Sequence, residues 1–178
     1  MQTVGLAGSV LMIGLAWMTS AAVDAEARQV DDSAWETLVP NARRPAPQVV
    51  SGGQPSAEQL KSAREAGFRT VINLRGEGEP GAKGQEIEAL GMEYRAFPIA
   101  SAEDLNEENA RAFSALLADA DGPVLLHCGS GNRVGALFAL SAFYVDGATP
   151  EEALEKGLAS GLTGLEPVVR QRLGVPGE

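Results

Sequence analysis

Two hydrophobic periods alternate along this chain. Short β-branched runs are separated by longer stretches whose apolar positions recur every three or four residues. Residues 48–51 (Gln-Val-Val-Ser) predict a strand that stops at Gly52-Gly53-Gln54-Pro55. Ser56 is placed to cap a helix through Ala66, with Glu58 in its first turn and Gly67 at its end. Residues 70–74 form a β-rich apolar run, and a glycine-rich loop over 75–84 follows, carrying Glu77, Glu79 and Pro80. A short helix over 85–90 and a strand within 92–99 come next. The acidic segment 101–108 predicts the start of a helix running to about residue 120, and Asp121-Gly122-Pro123 then turns the chain. Residues 124–126 are apolar and, with His127, predict a buried strand. Residues 133–145 are apolar around most of the helical circumference, which predicts a buried central helix. Thr149 and Pro150 open another helix, and Glu166-Pro167 opens a last one to about residue 173. Strands alternating with helices predict an α/β fold, a single domain over 48–173 with a small, mainly parallel sheet flanked by helices.

The N-terminal pattern differs. Residues 1–22 carry no charged side chain, 4–17 are largely apolar, and Ala25-Glu26-Ala27 fits a small-residue cleavage site. This predicts a secretory signal peptide over 1–27, with an uncleaved membrane anchor as the alternative. The expected location is therefore outside the cytoplasm, periplasmic or secreted. Residues 28–47 are polar and proline-containing, and read as a linker arm.

Charge and scarce residue types narrow the chemistry. The formal net charge is −10, with 14 Lys and Arg against 24 Asp and Glu. Nucleic-acid binding needs clustered basic residues and is excluded on that ground. Membrane contact is expected only if the leader is retained. One cysteine and one histidine allow neither an internal disulfide nor a Cys/His zinc set. No metal or other cofactor is called for.

The informative stretch is Val124-Leu125-Leu126-His127-Cys128-Gly129-Ser130-Gly131-Asn132-Arg133. A strand delivers the single cysteine to a tight loop, and a helix begins at the loop's end. Backbone N–H groups of such a loop converge on an anion, and the helix adds its positive end. The same donors favour the reactive thiolate of Cys128. Arg133 can fork two donors onto a bound oxyanion. Cys128 is thus the candidate nucleophile and Arg133 the oxyanion binder, with His127, Gly129, Ser130, Gly131 and Asn132 as the surrounding binding loop. Neighbouring strand residues point to opposite faces, so His127 is expected to support the loop through backbone hydrogen bonds rather than face the sulfur. Asp104, with Glu103 second, is the candidate proton donor to a leaving group. A first-turn helix acid is the competing reading for Asp104. Arg75 reads equally as a pocket residue or a surface residue. The spacing of Gly129, Gly131 and Gly135 misses the dinucleotide fingerprint, and no Gly-Lys-Ser/Thr marks a nucleotide loop.

Three ordered segments carry a resemblance: Ser51-Gly52-Gly53-Gln54-Pro55-Ser56, then 66–75 (Ala-Gly-Phe-Arg-Thr-Val-Ile-Asn-Leu-Arg), then 122–133 through the cysteine loop. Gly161-Leu162-Thr163-Gly164-Leu165-Glu166 adds a fourth. Together they resemble the phosphatase-like domain of the beta-lactamase hydrolase-like protein family, relatives of the dual-specificity cysteine phosphatases. The resemblance implies a cysteine-phosphatase-like α/β fold, with Cys128 as nucleophile and Arg133 on the oxyanion. It implies a phosphorylated or other small anionic substrate. The loop departs from the common cysteine-phosphatase pattern by being one residue shorter, with four residues between Cys128 and Arg133. That length matches rhodanese-like sulfurtransferases. Gly129 also stands where the family often has an arginine. A phosphomonoesterase working through a cysteinyl-phosphate is the leading reading. A sulfurtransferase using a Cys128 persulfide and a non-catalytic anion-binding module are the alternatives.

Overall fold

The computed structural model describes residues 35–81 and 84–176. The expected leader over 1–27 and the first part of the arm lie outside the described residues. Strands β1 (Arg43–Ala46), β2 (Val49–Gly52), β3 (Thr70–Asn73), β4 (Glu93–Ala96) and β5 (Val124–His127) form one sheet. Its order is β1-β2-β5-β3-β4. Only the β1–β2 pair is antiparallel. Helices α1 (Ala57–Glu65) and α2 (Gly84–Ala89) connect the first strands, and α3 (Glu107–Ala118) leads into β5. Helices α4 (Asn132–Tyr144), α5 (Pro150–Ala159) and α6 (Glu166–Leu173) complete the chain.

The period of two along β5 divides the core. Val124 and Leu126 pack with Ile72, Phe113 and Leu137 on one face. Leu125 packs with Val50, Val71 and Leu60 on the other. The sheet is thus sandwiched, with α1 and α2 on one side and α3 to α6 on the opposite side. Nine successive residues of α4, 134–142, are buried, as the run without a polar stripe predicts. Phe138 meets Phe113 of α3 edge-on at 5.3 Å, a pairing that adds about 0.5–1.5 kcal/mol beyond area burial.

Helix α4 is packed closely because it carries Gly135. A Cβ there would lie 2.0 Å from the Leu162 amide nitrogen. Gly157 of α5 faces Ala139 and the Gly135 carbonyl in the same way. These glycines let backbone meet backbone, so Gly135 serves packing rather than a phosphate loop.

Two expectations are corrected. The arm does not end at 47, because Arg43–Ala46 pairs with β2 as an edge strand, and Leu38 and Val39 are buried. Pro45 is tolerated there because an edge strand needs fewer ladder donors, and Lys156 Nζ of α5 donates to its carbonyl. The predicted long helix from 101 is broken. Ala102–Asp104 forms a separate 3₁₀ turn, and Asn106 starts α3 afresh by accepting the Asn109 amide through its side chain. The other starts follow their caps. Ser56 with Gln59, and Thr149 with Glu152, form reciprocal capping boxes.

Candidate active site

The carboxyl end of β5 lies at the centre of the sheet, between β2 and β3, where ligands of parallel α/β sheets bind. Cys128 follows directly and is 1% exposed. Its amide donates to the Gly52 carbonyl at 3.2 Å, so the backbone of the nucleophile is anchored to β2. The loop 129–131 is then oriented through its carbonyls. The Gly129 carbonyl accepts from the Gln54 amide at 3.3 Å, and the Ser130 carbonyl accepts from Asn41 Nδ2 at 3.2 Å. In a trans peptide the N–H points opposite to the C=O. Carbonyls pulled outward therefore turn the amides of 130 and 131 inward. The Gly131 amide donates to Cys128 Sγ at 3.1 Å. Gly131 has φ +99, a left-handed conformation that closes the loop and starts α4.

Cys128, Arg133, Gly129, Ser130 and Asn132 line one cavity of about 560 Å³ together with residues 99–102, Glu79 and Leu165. The structure thus brings together most of the loop read from the sequence. Gly131 contributes through its amide to the sulfur. Asn132 faces the cavity, but its Oδ1 accepts from the Thr163 and Leu165 amides at 2.9 and 3.3 Å. It ties the Gly-Leu-Thr-Gly-Leu segment to the base of α4.

Glu79, read from the sequence only as part of the glycine-rich 75–84 loop, faces Arg133 across the cavity. Arg133 Nη1 and Nη2 donate to the two carboxylate oxygens of Glu79 at 2.7 and 2.6 Å. Nη1 also donates to the Ile99 carbonyl at 3.0 Å. A guanidinium has five N–H donors. This pairing uses its terminal edge and leaves Nε–H and the second Nη2 hydrogen on the edge beside the cysteine loop. The Glu79 contact, and behind it the Cys128 sulfur, hold Arg133 above the ordinary arginine range. Glu79 also accepts the Gly76 amide at 2.9 Å and Arg75 Nε at 3.1 Å. The bond from Arg133 foremost, with those from Gly76 and Arg75, brings its carboxyl down to about 2. Arg75, left between pocket and surface by the sequence, supports this carboxylate and Gln54 Oε1 instead of lining the cavity. The signal that could have found Glu79 is the arginine at a helix N-terminus, a placement that calls for a nearby acid.

His127 is fully buried, and neither ring nitrogen has a hydrogen-bond partner. The expected backbone bond from its ring is not formed, and the residue is not among those lining the cavity. By strand alternation its ring lies on the face opposite Cys128. Burial pushes it down to about 4, aided by the charges of Arg75 and Arg133 and opposed by the Cys128 backbone. It is therefore a neutral imidazole. Asp104 is also not among the lining residues. Its Oδ2 accepts the amides of Ala100 and Ser101 at 2.8 and 2.9 Å, and these bonds hold its carboxyl below the usual range. Glu103 is likewise lowered, first by the Ser101 side chain. Among the described residues, no group of three or more His, Cys, Asp or Glu is placed to hold a metal ion.

A family model described as the phosphatase-like domain of beta-lactamase hydrolase-like protein matches residues 42–144. A beta-lactamase hydrolase-like protein of Agrobacterium fabrum is 38% identical over 94 residues, covering 49% of this chain and 22% of that protein. The chain spans about a quarter of the length of the curated relatives it matches. Among solved structures, a candidate phosphatase of Neisseria meningitidis superposes with a TM-score of 0.62 at 20% identity, covering 75% of this chain and 97% of that one. Tk-PTP in its active form gives 0.58 at 24% identity, covering 76% and 97%. At these identities the likeness establishes a shared phosphatase-type fold.

Proposed function

Because this chain belongs to the phosphatase-like domain family of the beta-lactamase hydrolase-like proteins, we propose that it is a cysteine-dependent hydrolase of phosphomonoesters. One observation carries the reading. The Gly131 amide donates to Cys128 Sγ, and Arg133, paired with Glu79 through Nη1 and Nη2, stands beside the same sulfur. In this reading the Cys128 thiolate attacks phosphorus, and the S–P bond forms as the ester P–O bond breaks. The inward amides of the loop, the first amides of α4 and the Nε edge of Arg133 take the non-bridging oxygens. These donors are fixed before the substrate arrives, so they need little reorganisation as charge develops. Water then cleaves the S–P bond, releasing orthophosphate and restoring Cys128.

Replacing Cys128 with Ser tests this. Turnover of an aryl phosphate is expected to vanish, while orthophosphate still raises the melting temperature. Full activity in Cys128→Ser would refute the mechanism. The loop of four residues between Cys128 and Arg133 supports a second reading, sulfur transfer through a Cys128 persulfide. A thiosulfate–cyanide assay run beside the phosphatase assay separates the two. Silence in both, with phosphate still bound, leaves an anion-binding module.

A further inference from the structure

The inference rests on the phosphatase reading and concerns what the substrate must release. An ester oxygen departing from phosphorus either takes a proton from the enzyme or leaves as an anion. Among the described residues lining the cavity, Glu79 is the only carboxylate. Four donors converge on its two oxygens. Arg133 Nη1 and the Gly76 amide reach Oε1, and Arg133 Nη2 and Arg75 Nε reach Oε2. A proton on either oxygen would point at a donor, so this carboxylate accepts and does not give. Asp104 is not among the residues lining the cavity, and its Oδ2 accepts the Ala100 and Ser101 amides and the Ser101 hydroxyl. Its main chain is pinned as well, since Asn109 Nδ2 donates to the Asp104 carbonyl at 2.8 Å. The one imidazole, His127, is buried and not among the residues lining the cavity. What remains around the sulfur are hydroxyls, an amide and the arginine, which bind oxygen without surrendering a proton near neutrality.

We propose that this site is specific for phosphomonoesters whose leaving group is weakly basic, namely acidic aryl phosphates and acyl phosphates, and discriminates against alkyl esters. The step balances without an acid. The sulfur lone pair forms the S–P bond, the P–O electron pair departs with the aryl oxide or carboxylate, and solvent protonates that anion after release. Water then supplies the oxygen of orthophosphate, and its proton passes to solvent.

The test is kcat/KM of the full chain over substituted phenyl phosphates, from nitrophenols to phenol itself, whose acidity is near that of tyrosine at about 10. Rates are expected to fall roughly five- to ten-fold per unit of leaving-group pKa, the steep dependence of an oxygen leaving without a proton. Asp104→Asn is expected to keep the parent slope, whatever it does to the absolute rates. A slope below about two-fold per unit would overturn the inference while leaving the phosphatase reading in place. A slope that steepens in Asp104→Asn or Glu79→Gln would overturn it too, by exposing a working acid. No turnover of even the most acidic ester, with thiosulfate consumed, refutes the phosphatase reading, and the inference falls with it.

Discussion

Replacing Glu79 with Gln removes one charge from the centre of the site and keeps its shape. The carboxyl is brought from 4.5 to about 2 by Arg133, Gly76 and Arg75. That is about 2.5 pKa units, or about 3.4 kcal/mol at about 1.4 kcal/mol per unit. One third of the Glu79 side chain is exposed, so solvent screening leaves roughly half, about 1.5–2 kcal/mol. The folded-state value lies below the unfolded one. The stabilisation is therefore complete above about pH 4.5 and is lost as pH falls toward about 2. Gln also turns an amide hydrogen toward a guanidinium hydrogen, which lowers stability at every pH by about 1–3 kcal/mol. Urea unfolding of parent and Glu79→Gln, from about pH 6 to about pH 2.5, separates the two effects. The stability difference should be constant in the upper range and shrink by about 1.5–2 kcal/mol in the lower one. A difference independent of pH would show that the carboxylate is not held by Arg133 and Arg75.

His127 titrates in a neighbouring window. Its buried ring resists protonation down to about 4 against 6.5 unfolded, so the parent should lose about 3 kcal/mol as pH falls through that range. His127→Phe should lack this loss, and an identical acid limb in the same urea series would rule it out. Gly135→Ala places a Cβ 2.0 Å from the Leu162 nitrogen, against backbone that cannot rotate aside. The expected destabilisation of about 2–3 kcal/mol lowers the melting temperature by roughly 5–10 °C. A rise, the usual helical gain of about 1 kcal/mol for Gly to Ala, would show that α4 and the 161–162 turn do not touch.

The parts legible in the sequence are those specified locally. Val124 to His127 forms a strand because every neighbour demands burial, and the loop after it follows from the glycines around Cys128. Ser56 and Thr149 announce their helices through side chains that bond within one turn. The missed parts depend on distant partners. Arg43-Arg44-Pro45 looks like a linker because its ladder partners lie in β2 and its side chains stay mostly outside. Glu79 and Arg133 are 54 residues apart in the chain, so no local pattern records their pairing.

Cys128 hangs from the strand that is paired on both sides, by β2 and by β3. Backbone amides of such a strand exchange with solvent chiefly when the whole molecule opens. The Gly76–Glu79 turn lies outside the ladder, closed by the Glu79 amide on the Gly76 carbonyl at 3.3 Å, and is expected to open at lower cost. The sulfur and its loop therefore persist through partial openings that release Glu79 from Arg133. In such a state the arginine meets solvent with both edges, above a floor that is still intact.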